Sequence, residues 1–292
     1  MASLRQLRQR LRSIQGTKQI MRAMQLVSAS KLKRAQGRLL QARAVLGFLD
    51  GLLQRVLASV PALDHPLCAV RAEGPSALVL FTSDSGLCGA YNTNLIQLAE
   101  SHLRRDTARA TQLITVGKKG HRYFLRRGYA SAASYLDLAG RPDLATAEAI
   151  GRELMERFLA GRVASVELLY SRFVSSSVYR PAVLQWLPIR LEATTESQGH
   201  NVTGSHAEEY IFEPSAQRIF DDLLPRWALA TFQRAMLEAF TSEHSARMIA
   251  MKNATDNAEE LLKSLTRQRN RIRQAAITKE LSEIVGTAEA LK

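Results

Sequence analysis

From Leu32 to Val60 apolar residues return at alternating steps of three and four without a miss, at Ala35, Leu39, Ala42, Leu46, Leu49, Leu53, Val56 and Val60. That spacing is the seam of a coiled coil, and it predicts one long helix with a single narrow apolar stripe. Upstream, Leu4, Leu7, Leu11 and Ile14 keep the rhythm, which blurs across Gly16-Thr17 and again from Ser28 to Lys31, where polar residues fall into the seam. A stripe that narrow is not buried by one helix. A second helix must lie along it, from elsewhere in the chain or from a partner.

Charge narrows the reading. Between Met1 and Leu49 there are eleven Lys and Arg and no Asp or Glu. Such a helix gives up the opposite-charge pairs three and four residues apart that support an ordinary solvated helix. It fits an acidic or electron-rich surrounding surface better than open water. The rest of the chain is close to balanced: residues 50–242 carry 20 basic and 20 acidic side chains, and residues 243–292 carry 9 and 7. The net charge of +13 therefore belongs mainly to the first helix.

Cys68 and Cys88 form no CxxC spacing, which points to a reducing compartment without a disulfide framework or a zinc site. No apolar run reaches the roughly eighteen residues that a bilayer span needs. The Arg-rich start has the composition of a mitochondrial transit segment. Its heptads run on into the long helix, so it is read as part of the fold.

Past Pro61 the pattern changes to short apolar runs between helical segments. Ala77–Thr82 reads as a buried strand, followed by the turn SDSGLCG and a helix over about Asn92–Arg105. Leu113–Val116 reads as a second strand with a short helix to Arg127. Asp143–Ala160 reads as an amphipathic helix capped by Asp143. Val163–Phe173 and Val178–Pro188 read as two more strands, the latter nearer an edge because of Pro181. Alternation of this kind implies a Rossmann-like α/β layer domain with a partly parallel sheet. Residues 191–208 read as a polar loop.

From Pro214 the helical period returns and continues to the end through Ala216, Phe220, Leu223, Trp227 and Thr231, then Ala258, Leu262, Leu265, Ile272, Ala276, Leu281 and Ile284. Pro225 is a candidate kink. Two aromatic-poor helices thus bracket an α/β insert, and they can pair within the chain only as antiparallel partners. Each has about 60 residues or more, on the order of 90 Å at about 1.5 Å per residue. The expected class is a long antiparallel two-helix coiled coil with an inserted α/β domain. Its segments are 1–60 and 214–292 for the coil and 61–213 for the insert.

No catalytic constellation stands out. Ser83–Gly89 sits where a phosphate cradle would, but it lacks a Lys-Ser/Thr pair and is not GxGxxG. A tight turn that uses the backbone freedom of Gly86 and Gly89 explains it better. Cys88 reads as a packing or contact residue, and the six histidines are scattered. No cofactor is expected. Nucleic acid is the other obvious partner for a basic helix. Base stacking would want aromatic side chains among the charges, and the first sixty residues hold only Phe48.

Four blocks carry a resemblance: RSIQGTKQIMRAMQLVSASKLKRAQ (12–36), TSDSGLCGAYNTNL (82–95), SEHSARMIAMKNATDNAEELL (242–262) and RQAAITKELSEIVGTAEAL (273–291). In this order they resemble the γ subunit of the F-type ATP synthase, of bacterial type. The resemblance implies a central rotor shaft without chemistry of its own. Its partners would be a ring of α and β subunits, the ε subunit and the c ring of the membrane sector, at the cytoplasmic face of the bacterial membrane. Nucleic acid is not among them. It further implies contacts with β through Arg247, Arg273, Gln274, Thr278 and Glu280, with the turn at Cys88 near an acidic β segment. Contacts with the c ring would come through Tyr210, Phe212 and Glu213. The family often has Tyr where Phe212 stands.

Overall fold

In the computed structural model, residues 4–59, 63–105, 110–138, 143–190, 213 and 215–290 are described. The chain divides into two compact units, Lys31–Ala246 and Met1–Ser30 with Arg247–Lys292. Both terminal segments are single helices, α1 (Leu4–Ser59) and α5 (Ala216–Ala290), each with one part in each unit. The helix of α5 runs on through Pro225.

The larger unit contains a five-stranded sheet. β1 (Ser76–Phe81) lies at its centre, with β2 (Thr111–Val116) and β3 (Ser131–Tyr135) to one side and β4 (Ser165–Phe173) and β5 (Tyr179–Leu187) to the other. The first four strands are parallel, and β5 returns antiparallel to β4. Pro181 sits on that outermost strand, where its missing donor costs no ladder bond to a further strand.

All six residues of β1 are buried, as expected of a strand covered on both faces. Val79, Ile114 and Leu168 face one layer, and Leu78, Leu80, Leu113 and Leu169 face the other. The second layer is made by α2 (Tyr91–Arg105) and α3 (Lys118–Leu125). The first is made by α4 (Leu144–Leu159), the start of α5 and the end of α1, with Leu53, Val56, Phe220 and Phe232 in one cluster. Trp186 joins it, with its ring 5.1 Å from Phe232 and its indole N–H donated to the Ala228 carbonyl at 2.9 Å. The end of α1 and the start of α5 are therefore a layer of the domain core. Asp143 caps α4 as the sequence predicts, accepting from the Ala145 amide.

Three details differ from expectation. β3 is not visible in the sequence, because SAASY has little β-branched character and lies half-buried at an edge. In the Ser83–Gly89 turn, Gly89 takes a positive φ of 57°, but Gly86 does not; Leu87 does instead, at 64°. The seam of α1 does not blur. Burial returns at Ile14, Lys18, Met21, Gln25, Ser28 and Leu32 and continues through Ala35, Leu39, Ala42, Leu46, Leu49, Leu53 and Val56. Only the chemistry changes along it. Ser28 satisfies its hydroxyl on the Met24 carbonyl at 2.8 Å, and Lys18 reaches Glu259 of α5 at 2.9 Å.

Candidate functional site

In an open doubly wound sheet, ligands bind outside the carboxyl ends of the strands where the strand order reverses. Here the reversal lies between β1 and β4. The crevice is occupied by α5. The Tyr91 hydroxyl at the start of α2 donates to the Ala239 carbonyl at 3.0 Å. Ser242 donates to the Ser171 carbonyl at 2.9 Å, and Ser245 to the Ser176 carbonyl. Ala246 packs against the α2 side, whereas Ala239 and Phe240 belong to the α4 side.

This explains a stretch that the sequence presents as ordinary polar helix surface. Thr241, Ser242, Glu243, His244 and Ser245 are all buried. Carbonyls at and beyond a strand end need donors once water is excluded, and the hydroxyls of Ser242 and Ser245 supply them. The signal available in sequence was the density of small hydroxyl residues inside a helix, which usually disfavour a helix interior unless they bond elsewhere.

A second joint lies beside it. Arg43 of α1 donates to the Phe173 carbonyl at 2.9 Å and to Glu238 of α5 at 3.0 Å. Gln36 reaches Ser176 at 3.2 Å. Further along α1, the Trp227 indole donates to Asp50, the first acidic residue of the chain. These partners advance along α1 as they retreat along α5, so the helices are antiparallel within this unit. Next to Glu238, the Tyr170 hydroxyl is pushed up to about 12, first by burial and then by that carboxylate.

The turn at the carboxyl end of β1 is braced rather than open. Asp84 accepts from the backbone amides of Lys118 and Asp137, and Lys118 pairs with Asp137. Cys88 is only 2% exposed and takes a hydrogen bond from Asn92 at 3.1 Å. The exposed large apolar side chain of this turn is its neighbour Leu87.

In the smaller unit the seam of α5 is Met251, Thr255, Ala258, Leu262, Leu265, Arg269, Ile272 and Ala276, again at steps of four and three. Expectation and structure part after that. Leu281 and Ile284 are 57% and 65% exposed, with Ile277 and Val285 exposed beside them. Lys18 lies opposite Glu259, and the described part of α1 begins fourteen residues before Lys18. α5 therefore soon outruns it, and its last turns keep their apolar rhythm without a described partner. Arg273, Gln274, Thr278 and Glu280 are exposed on the same stretch, whereas Arg247 is only 7% exposed. An open groove of about 560 Å³ is lined by Lys18, Glu259, Leu262, Lys263, Thr266 and Arg267. Of the residues named for the c ring, Glu213 is exposed, and Tyr210 and Phe212 lie outside the described residues. Among the described residues there is no grouping of three or more metal-ligating side chains, and no helix is long and apolar enough to cross a membrane.

These features define a class: a helical shaft built into a doubly wound domain whose ligand crevice it fills itself. A family model described as ATP synthase matches residues 3–291. The ATP synthase gamma chain of Symbiobacterium thermophilum is 42% identical over 286 residues, covering 97% of this chain and 96% of that one. That of Pelotomaculum thermopropionicum is 42% identical over 292 residues, the full length of both. Among solved structures, the rotor of the Euglena gracilis mitochondrial ATP synthase matches with a TM-score of 0.63 at 18% identity, covering 94% of this chain and 98% of that one. The chain belongs to the ATP synthase gamma chain family.

Proposed function

We propose that this chain is the central rotor shaft of an F-type ATP synthase, coupling proton-driven rotation of a c ring to the conformational cycle of the catalytic β subunits for ATP synthesis, or hydrolysis in reverse. It has no catalytic site of its own and works at the cytoplasmic face of a bacterial membrane. The observation that carries this reading is the filled crevice: the place where a doubly wound domain would hold a nucleotide is taken by the chain's own α5.

The partners are those that the family resemblance implies, and the surface chemistry suits them. The apolar end of α5 at Ile277, Leu281, Ile284 and Val285 needs a sleeve, which a ring of α and β subunits supplies. Arg273, Gln274, Thr278 and Glu280 are exposed on that stretch and face β. Arg247 meets β only through the small part of its side chain that remains accessible. The turn of β1 meets an acidic β segment through Leu87, with Cys88 packed beneath it. The acid-free face of α1 and the groove bearing Lys18, Lys263 and Arg267 suit carboxylates. Tyr210, Phe212 and Glu213 serve the c ring, and the ε subunit sits against the α/β domain. In working terms residues 1–60 and 214–292 are the shaft and 61–213 the inserted domain.

Reconstitution with α and β subunits tests the reading. The assembled complex is expected to hydrolyse ATP while the isolated chain neither hydrolyses nor binds it. Binding of ATP or NAD by the isolated chain would point to a nucleotide enzyme. Salt-steep binding to duplex DNA would point to a basic nucleic-acid protein.

A further inference from the structure

We infer that Arg43 and Glu238 form a registry clasp which holds the sheet domain and the two shaft helices together under torsional load. The inference rests on the rotor reading and adds the place where load passes between domain and shaft.

One nitrogen of the Arg43 guanidinium joins three elements, α1, the end of β4 through the Phe173 carbonyl, and α5 through Glu238. The pair is unequal. Glu238 has a side chain 3% exposed, whereas that of Arg43 is 40% exposed. The second carboxylate oxygen of Glu238 is buried and accepts no hydrogen bond among the described residues. Glu238 also acts on the buried Tyr170 hydroxyl, on which Arg234, Arg172 and Arg43 act in the opposite sense.

A buried ion pair of this kind is a poor way to gain stability, since well-packed apolar side chains of similar volume do as well or better. Its attested advantage is direction: a buried polar contact fixes register where apolar contacts leave it free. The neighbouring bonds, Tyr91–Ala239, Ser242–Ser171 and Trp227–Asp50, each tie α5 to one other element, whereas the Arg43 clasp ties three elements at one point. Glu238 lies between Leu237 and Ala239 with Ala235 three residues before it, and Ala42 precedes Arg43. Methyl groups at such positions offer little resistance to one helix sliding past the other. The clasp supplies that resistance where the sheet grips the shaft, next to the Tyr91–Ala239 and Ser242–Ser171 bonds.

The test uses the full chain assembled with its partner subunits in vesicles. ATP hydrolysis and ATP-driven proton uptake are read together, first without and then against an imposed proton gradient. The double variant Arg43→Met, Glu238→Leu removes both charges and leaves apolar bulk. It is expected to melt within about 5 °C of the unaltered chain and to hydrolyse ATP normally without a gradient. Against the gradient it should lose at least about threefold in protons moved per ATP, the scale of coupling between contacting residues. A purely structural defect would lower the amount of complex equally at both loads and leave the ratio unchanged.

A folded double variant with the unaltered ratio at full load overturns the inference. If the double variant does not fold, Glu238→Gln decides: it keeps shape and an acceptor but weakens the grip, and a normal ratio at full load overturns the inference equally. If the unaltered chain fails to give a coupled complex, the rotor reading itself fails, and the clasp with it.

Discussion

Arg71 shows how a single side chain closes an element. Its guanidinium donates to the carbonyls of Phe158, Leu159 and Val163 and lies 4.6 Å over the Phe158 ring. The last carbonyls of α4 have no partner within the helix, and Arg71 takes their place from the segment that leads into β1. Arg71→Met keeps much of the stacked bulk but takes the charged donor from all three carbonyls, leaving that of Phe158 the Gly161 amide at 3.0 Å. It is expected to cost about 1.5–3 kcal/mol, the range for hydrogen bonds to charged groups, read as a lower urea midpoint at unchanged slope. Glu153 gives a pH signature. The Tyr135 hydroxyl, and then Arg157, hold its carboxyl below the usual glutamate range. Its contribution to stability is fully present above the ordinary glutamate value and is lost as pH falls through the lower folded value. Tyr135→Phe should therefore raise the Glu153 midpoint, followed by carboxyl carbon chemical shift; an unmoved midpoint would remove Tyr135 as the cause. At this scale the sequence was legible where a residue acts on its own neighbours, as Asp143 does at the start of α4. It was silent where the partner is distant: nothing near Arg71 in sequence announces α4, and nothing near Ser242 announces Ser171.

Elements were legible in proportion to their contrast. β1 carries a continuous apolar run and β2 the short, largely β-branched stretch Leu113–Val116, and both stood out, whereas the alanines and serines of β3 carry no such contrast. The seam of α1 illustrates a different limit. Lys18, Gln25 and Ser28 hold seam positions by spacing, yet polarity hid them, because an apolar pattern records only the positions where burial and chemistry agree. Glycine can be misread in the opposite way, as a weak point when it is a contact. In α4, a Cβ added at Gly151 would lie 2.9 Å from the Leu229 side chain and 3.3 Å from that of Phe232, both on α5. The missing side chain lets the two helices approach closely. Gly151→Val is expected to overpack this contact and cost about 1–3 kcal/mol, despite valine's better intrinsic helix propensity, as a fall in thermal midpoint. A rise would mean that propensity outweighs the contact.

At the scale of the molecule the question is what carries torque, and magnitudes separate the candidates. An exposed ion pair contributes about 0–1 kcal/mol, so no single charged side chain on the free end of α5 can be the transmission. Burying a Leu or Val of the seam contributes roughly 1.5–3 kcal/mol, and the seam repeats from Leu4 to Val56. Stiffness from that seam, together with the shape of the shaft, is the larger reservoir, with charge setting fit and register. The ranking of two substitutions follows. Arg273 is exposed, and Arg273→Ala should lower ATP turnover of the assembled complex by no more than about fivefold, the equivalent of one surface contact. Leu46 is 5% exposed in the seam, and Leu46→Asp places an unpaired carboxylate where water is excluded. No stable complex should then be recovered by size exclusion, and the isolated chain should lose helix by circular dichroism. If Leu46→Asp instead assembled and turned over while Arg273→Ala stopped the complex, the load would have to pass through individual charged contacts, and the seam would be reduced to a support for them.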